Sequence, residues 1–291
     1  AHDLKLACPA YKMLNKHGIC EKCKHGNLSH VILNRCIHNS LTTSSLVAVE
    51  SAVHKGFGLY KRNIDKVVTP SQFFTKKLNE WGWPAEKLIY IPNFINSNQY
   101  SPDYNAGKYY LYFGRLAPEK GVDTLIRAAS LAGVRLAIVG SGPHEQALKA
   151  AADQSRGEID FFGYCSGDKL KELIRKAKAV VLPSQWYENA PISLLEAYAC
   201  GKPVIGARIG GIPEMVLEGQ TGLLYTSGDV NQLCERINQL ETSPSSTLIE
   251  MGKFALNHVK NTYSLQRYRD NMLDLYASLG VKTDRNTIST H

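Results

Sequence analysis

Pro183–Gly206, reading PSQWYENAPISLLEAYACGKPVIG, decides the fold. It follows directly on Ala179–Leu182, an apolar run short enough and β-branched enough to be a buried strand. Ser184–Asn189 is a polar loop, and Pro191 suits the first position of a helix, where its missing N–H costs nothing. Asn189 or Ala190 is then the N-cap, with Asn the better capping side chain. The helix is expected to run from Pro191 through Cys200 and to stop at Gly201, since Pro203 cannot continue it. Pro203–Gly206 reads as the next strand. Strand, loop, helix and strand in this order make one βαβ unit of a parallel sheet.

The same stretch separates two carboxylates. Glu188 lies in the loop before the helix, and Glu196 lies in its second turn. Between them the free backbone N–H groups of Ile192 and Ser193 stand at the positive end of the helix dipole, which makes an anion site. A ligand with both negative charge and hydroxyl groups, such as a sugar nucleotide, suits that arrangement. An ordinary crossover helix with solvated glutamates fits the stretch too, so the rest of the chain must decide.

Outward from this stretch the rhythm is regular. Strands are expected at Tyr109–Phe113, Arg135–Val139, Ile159–Phe162 and Gly222–Tyr225, with helices at Gly121–Leu131, Pro143–Asp153, Gly167–Ala177 and Asp229–Leu240 and two more up to Leu279. Alternation of this length predicts a doubly wound α/β domain, whose sites lie at the carboxyl ends of the strands. Those ends carry chemistry. Gly114-Arg115 follows the first strand, and Glu119-Lys120-Gly121 opens the first helix. Arg115 and Lys120 can clamp a diphosphate, one by its fork and the other as a point charge. Gly140-Ser141-Gly142-Pro143 follows the second strand, Gly163 the third and Glu188 the fourth.

Before this domain the reading is less regular. Ala1–Arg35 looks irregular, a helix spans 42–61, a short strand spans Asp65–Thr69, and Ser71 caps a helix over Gln72–Trp81. Lys87–Ile91 is another strand, and the polar tract Asn96–Lys108 reads as a linker. The expected domains are therefore 1–104, with a Cys-rich segment over 8–36, then 105–262. A terminal helix over 263–280 carries an apolar stripe of Leu265, Tyr268, Met272, Leu275, Tyr276 and Leu279 that must bury against something.

Other chemistries are excluded by pattern. The loop after the second strand holds Glu145 where a dinucleotide fingerprint needs glycine, and neither a P-loop nor a G-x-S-x-G elbow occurs. No Asp-x-Asp pair occurs, so a diphosphate must be neutralised by Arg115, Lys120 and the helix start rather than by a divalent ion held there. No run of 18 apolar residues occurs in the 291, and AHDLKLACPA has no apolar core of a signal peptide. The net charge of +8 is concentrated early: residues 1–104 hold 13 Lys/Arg against 7 Asp/Glu. That balance fits an acidic acceptor or an anionic membrane surface, and equally a solvated basic face; no RNA-binding motif accompanies it, so no nucleic-acid partner is expected. Four of the seven cysteines also fall early. Cys20-x-x-Cys23 has zinc-ligand spacing and Cys8 and Cys36 complete a set of four, although free thiols fit the spacing as well.

GRLAPEKG (Gly114–Gly121), VGSGP (Val139–Pro143), Glu188 and Glu196 with NAPISLLEA between, GGIPE (Gly210–Glu214) and TGLL (Thr221–Leu224) together resemble the retaining glycosyltransferases called group 1 or family 4. HDLKLACP, VTPSQF and IPNF resemble the latter part of that family's N-terminal domain. The resemblance implies a GT-B fold, two Rossmann-like domains facing across a cleft, with the first part of the N-terminal domain and its glycine-rich loop lacking here. It implies that Arg115 and Lys120 hold the donor diphosphate, Glu188 the sugar hydroxyls and Glu196 the ribose. It further implies that Gly114, Gly140, Gly142, Asn189, Ala190, Pro191, Ile192 and Ser193 bind the donor. The backbone of Phe162, Gly163, Tyr164 and Cys165 would line the base, and His2 would approach the donor sugar. Many members have Glu-x-Phe-Gly where this chain has Glu-Asn-Ala-Pro, a departure at the sugar contacts. The activity implied is metal-independent transfer from a UDP or GDP sugar to a saccharide or lipid-linked acceptor in polysaccharide or glycoconjugate synthesis. The place implied is cytoplasmic or peripheral on the inner membrane face. Sugar-nucleotide epimerisation, phosphorolysis and non-catalytic nucleotide binding are the alternatives.

Overall fold

The structure, a computed structural model, describes residues 1–282. Small elements dominate the first hundred residues: a hairpin of β1 (Leu14–Asn15) and β2 (Gly18–Ile19), helices α1 (Ser29–Leu33), α2 (Leu41–Gly56) and α3 (Leu59–Asn63), strand β3 (Val67–Thr69), helix α4 (Gln72–Glu80) and strand β4 (Leu88–Tyr90). The stretch expected to be irregular thus holds a hairpin and a short helix, whose two- and five-residue lengths leave no periodicity to read. The single helix expected over 42–61 is broken: Phe57 closes α2, and Gly58, at φ 62°, starts α3 in a left-handed conformation that only glycine adopts freely. β3 and β4 pair in parallel.

Beyond residue 105 the alternation is realised almost residue for residue. β5 (Tyr110–Phe113), α5 (Val122–Ala132), β6 (Leu136–Val139), α6 (Glu145–Asp153), β7 (Ile159–Phe161), α7 (Gly167–Lys176), β8 (Ala179–Leu182), α8 (Ile192–Ala199), β9 (Val204–Ala207), α9 (Ile212–Met215) and β10 (Gly222–Tyr225) follow in turn. Helices α10 (Val230–Thr242), α11 (Ser245–Thr262) and α12 (Leu265–Ser278) end the described chain. The six strands form one parallel sheet in the order β7-β6-β5-β8-β9-β10, the doubly wound order.

Five of the six strands are buried and apolar at every position, as a sheet covered on both faces requires, whereas β7 at the edge is half-buried and carries Asp160, paired with Arg135. Leu111, Phe113, Ala137, Val139, Val180, Leu182 and Val204 pack on one side with α8 and α11. Tyr110, Tyr112, Leu136, Ile138, Val181, Ile205 and Tyr225 pack on the other with α5 and α10. The strand order reverses between β5 and β8, and a crevice opens at the carboxyl ends there.

Contacts between the two parts of the chain are specific. The Ile95 N–H donates to the Tyr263 carbonyl at 2.9 Å, and Phe94 stacks obliquely on Tyr268 of α12 with ring centroids 4.5 Å apart. The apolar stripe of α12 is covered only in part: Leu275 is buried, whereas Leu265, Tyr276 and Leu279 stay exposed.

Candidate functional site

The crevice is built where β5 and β8 diverge. The Gln185 N–H donates to the Glu119 carbonyl at 2.9 Å, tying the loop after β8 to the turn before α5. On the other side the GGIPE turn after β9 presses against the same loop. A Cβ on Gly211 would stand 1.9 Å from the Asn189 carbonyl oxygen, so only glycine permits this approach, and the Gly211 N–H donates to the Glu188 carbonyl at 2.7 Å.

Held from both sides, the loop delivers Glu188 to the crevice as a buried residue, 8% exposed. Three donors converge on one of its oxygens, Oε1: Lys120 Nζ at 2.6 Å, Ser184 Oγ at 2.7 Å and Trp186 Nε1 at 2.8 Å. A buried carboxylate needs such compensation. Lys120 also lies 4.9 Å from the centre of the Trp186 ring, a cation–π contact. The pairing of Lys120 with Glu188 links two residues to which separate ligand groups were assigned in the sequence. Ser184 and Trp186 were not singled out; their offsets of four and two residues from Glu188 were the available signal.

Helix α8 opens as expected of an anion site, with one correction. Pro191, extended at φ −66° and ψ 120°, is itself the N-cap and makes no side-chain cap. Asn189, expected to cap, is taken by tertiary partners: it accepts from Ser71 Oγ at 2.7 Å and donates to the His2 carbonyl at 3.4 Å. The first amides of α8 are therefore left without a side-chain acceptor, which keeps the positive helix end available to a ligand.

A cavity of about 440 Å³ at this point is walled by His2, Lys12, Trp186, Glu188, Asn189, Ala190, Pro191 and Ile192, among others. A second, of about 510 Å³, is walled by Gly114, Arg115, Gly140, Gly142, Tyr164 and Cys165. Most of the anticipated residues thus gather at two hollows along the strand ends. Others do not. Phe162 faces a different hollow with Tyr109 and Arg135, and Gly163 offers its carbonyl to the Gly140 N–H at 2.7 Å, extending the sheet. Glu196 turns to Tyr100, whose hydroxyl donates to it at 3.1 Å, and burial raises its carboxyl above the usual range. Arg115 is half exposed and its guanidinium is ion-paired with Glu119 in its own loop. Glu214 of the GGIPE turn reaches α4, accepting from the Gln72 N–H at 2.9 Å and the Phe73 N–H at 3.3 Å.

Comparison with known proteins agrees with this architecture. Residues 96–258 match the family model of group 1 glycosyl transferases. An uncharacterised glycosyltransferase of Methanocaldococcus jannaschii is 32% identical over 196 residues, 66% of this chain and 54% of that protein. A D-inositol 3-phosphate glycosyltransferase of Mycobacterium avium is 32% identical over 173 residues, 57% of this chain and 40% of that protein. The chain spans about half the length of the curated relatives it matches. HepE of Anabaena, solved with UDP and glucose, superposes with a TM-score of 0.70 at 22% identity, covering 81% of this chain and 74% of that one, a likeness of GT-B fold. With the crevice, its motifs and these likenesses together, the chain belongs to the group 1 glycosyl transferases.

Proposed function

We propose that the protein transfers a sugar, with retention of anomeric configuration, from a UDP or GDP sugar to a saccharide or lipid-linked acceptor, as a family 4 enzyme of the group. The observation that carries this reading is the Lys120–Glu188 pair set beside the open start of α8. Cation and helix amides suit the diphosphate, while the second oxygen of Glu188 is left to accept from sugar hydroxyls. Sugar-nucleotide relatives support the same class: D-inositol 3-phosphate glycosyltransferases and GDP-mannose-dependent mannosyltransferases are among them. Arg115, Gly114, Gly140 and Gly142 then meet the phosphates, and His2 stands at the sugar end of the first cavity. The backbone of Phe162–Cys165 and Glu196 are assigned to base and ribose.

Two carboxylates line the first cavity, Asp3 and Glu188; Asp3 is engaged by the Lys5 N–H of its own turn, and the three hydrogen bonds of Glu188 make it a poor nucleophile. Transfer is therefore assigned to the front face, with the leaving diphosphate taking the acceptor proton, and with charge building on the phosphate stabilised by Lys120, Arg115 and the Ile192 and Ser193 amides. No divalent ion is needed for it. The 1–104 part is assigned to the acceptor side as the incomplete N-terminal domain, 105–262 to the donor, and 263–280 to the return helix. Activity is placed at the cytoplasmic side, with the basic early segment against an anionic membrane face.

The test is a thermal-shift screen of nucleoside diphosphates and their sugars, followed by NMR of the product's anomeric centre. A UDP or GDP sugar raising Tm and a retained anomer are expected. An inverted product, or a stable glycosyl adduct on Glu188 seen by mass spectrometry, would overturn the mechanism. Added magnesium is expected to leave nucleotide affinity unchanged.

A further inference from the structure

Cys8, Cys20, Cys23 and Cys36 are free thiols, and among the described residues no three His, Cys, Asp or Glu are grouped so as to hold a metal ion. What the early part of the chain does gather is cations, around a cavity of about 180 Å³ that takes no part in the crevice. Its walls come from three places: Lys24 beyond the β1–β2 hairpin, His54 and Lys55 of α2 with Tyr60 and Lys61 of α3, and Trp81 at the end of α4. Sites for whole drug-sized ligands run to roughly 300–1,000 Å³, so this one has room for a single ring or headgroup.

Two ammonium groups stand at Trp81. Lys55 Nζ lies 5.7 Å from the centre of its ring, and a Cβ added to Gly82 would meet Lys61 Nζ at 3.5 Å. Among the described residues neither lysine is paired with a carboxylate, whereas Lys24 is held by Glu80 at 3.4 Å. Two ring nitrogens of the walls, Trp81 Nε1 and His54 Nδ1, are buried with no hydrogen-bond partner among the described residues. His54 stacks on Tyr60 with ring centroids 4.5 Å apart, which fixes that wall. An indole N–H can only donate, and leaving it buried and unmet is costly. Unpaired cations and an unmet donor both call for an acidic acceptor, and the aromatic walls suit an apolar ring face beside it. The cavity is one turn from the crevice. Leu6 lines it, while His2, Asp3 and Leu4 just before line the 440 Å³ cavity. Trp83 Nε1 donates to the Leu6 carbonyl at 2.9 Å and holds that turn between the two.

We propose that this cavity binds an anionic sugar unit of the acceptor, a uronate or a sugar phosphate. The sugar ring lies among Tyr60, Trp81 and Trp83, and its acidic group is taken by Lys55, Lys61 and the Trp81 N–H. The assignment to the acceptor rests on the transferase reading; the binding of an acidic sugar does not. Held here, an acidic unit leaves the next units of its chain to pass Leu4 toward the sugar end of the crevice. A plain lipid phosphate carries the same charge but brings no ring to these walls, and the test separates the two.

The test reads binding to the whole protein without donor, so it stands apart from the transferase reaction. Glucuronic acid, glucose 6-phosphate and glucose are titrated and followed by ligand-observed NMR. At least one of the acidic sugars is expected to bind, with glucose about tenfold weaker or more, and the tighter of the two names the acceptor's acid. Lys55→Met and Lys61→Met should each weaken that sugar about tenfold or more, the effect of losing a charge-assisted hydrogen bond. Trp81→Phe, which keeps a ring and loses the N–H, should weaken it too. Lys76→Met, exposed on α4 outside the cavity, should change nothing. Circular dichroism checks that each variant is folded. Glucose bound as tightly as the acidic sugars, or wild-type affinity in the Lys55→Met, Lys61→Met double variant, overturns the proposal. So does capture of phosphatidylglycerol vesicles through these lysines with no response to either acidic sugar. UDP and GDP are titrated separately: an acidic sugar bound by a protein that takes up neither nucleotide would keep the cavity's ligand and overturn only its tie to transfer.

Discussion

Lys120 and Glu188 form the central contact of the crevice, and each makes the other's position possible. Glu188 is buried, 8% exposed, and three donors meet its Oε1. Removing Lys120 takes away that compensation and, under the proposed mechanism, a cation from the leaving diphosphate. Lys120→Ala is expected to lower kcat by about 10²–10³, the usual effect of losing one preorganised donor. A loss below about tenfold in steady-state kinetics would remove Lys120 from the chemistry. Glu196 offers a test of a different kind. Burial raises its carboxyl in the folded state, so folding favours the protonated form. The stability this contributes is complete at pH below the unfolded carboxyl value and is lost as pH rises through the raised folded value. Glu196→Gln, able to keep the Tyr100 hydrogen bond, should flatten that part of the Tm-against-pH curve and leave the protein no less stable at pH 7. A curve unchanged in slope would mean that the Glu196 carboxyl titrates alike in the folded and unfolded states.

At the scale of single elements, two contacts set how the parts meet. The first helix amides of α4 are filled by Ser71 and by Glu214 from the other part of the chain. Glu214→Ala should cost about 1–2 kcal/mol in urea denaturation, as the loss of a helix cap does. A cost near zero would show that water replaces the carboxylate. Gly211→Ala should be worse, on the order of 3 kcal/mol, because its Cβ meets the Asn189 carbonyl at 1.9 Å and that backbone must move. It should also weaken nucleotide binding, since the displaced loop carries Glu188; tight binding with a lowered Tm would separate the two effects. Most of these elements were legible in the sequence. Strands buried on both faces show as apolar runs: β8 and β10 fall on their expected residues, β5, β6 and β7 each lose one residue at one end, and β9 is moved along by one at both ends. The N-cap of α8 was misplaced because a bond from Ser71, 118 residues away, outcompeted the local one. The pairing of Lys120 with Glu188 was illegible for the same reason, since only the sheet brings residues 68 apart together.

Across the whole molecule, the last helix and the earliest segment depend on each other. Ile95 is buried in the same apolar cluster as Val259 and Tyr263, and its N–H is satisfied by the Tyr263 carbonyl. During synthesis that partner does not yet exist. At roughly 5–20 residues per second, the ribosome needs on the order of ten to thirty seconds to travel from Ile95 to α12. For that interval residues 1–98 wait with an unmatched seam, and only the emergence of Tyr263–Tyr268 lets the seam shut. Ribosome-bound chains arrested soon after residue 262 should be cut by protease around residues 94–98, and chains carrying all of α12 outside the exit tunnel should not. Birth order, as well as sequence, then decides when this protein first becomes able to bind anything.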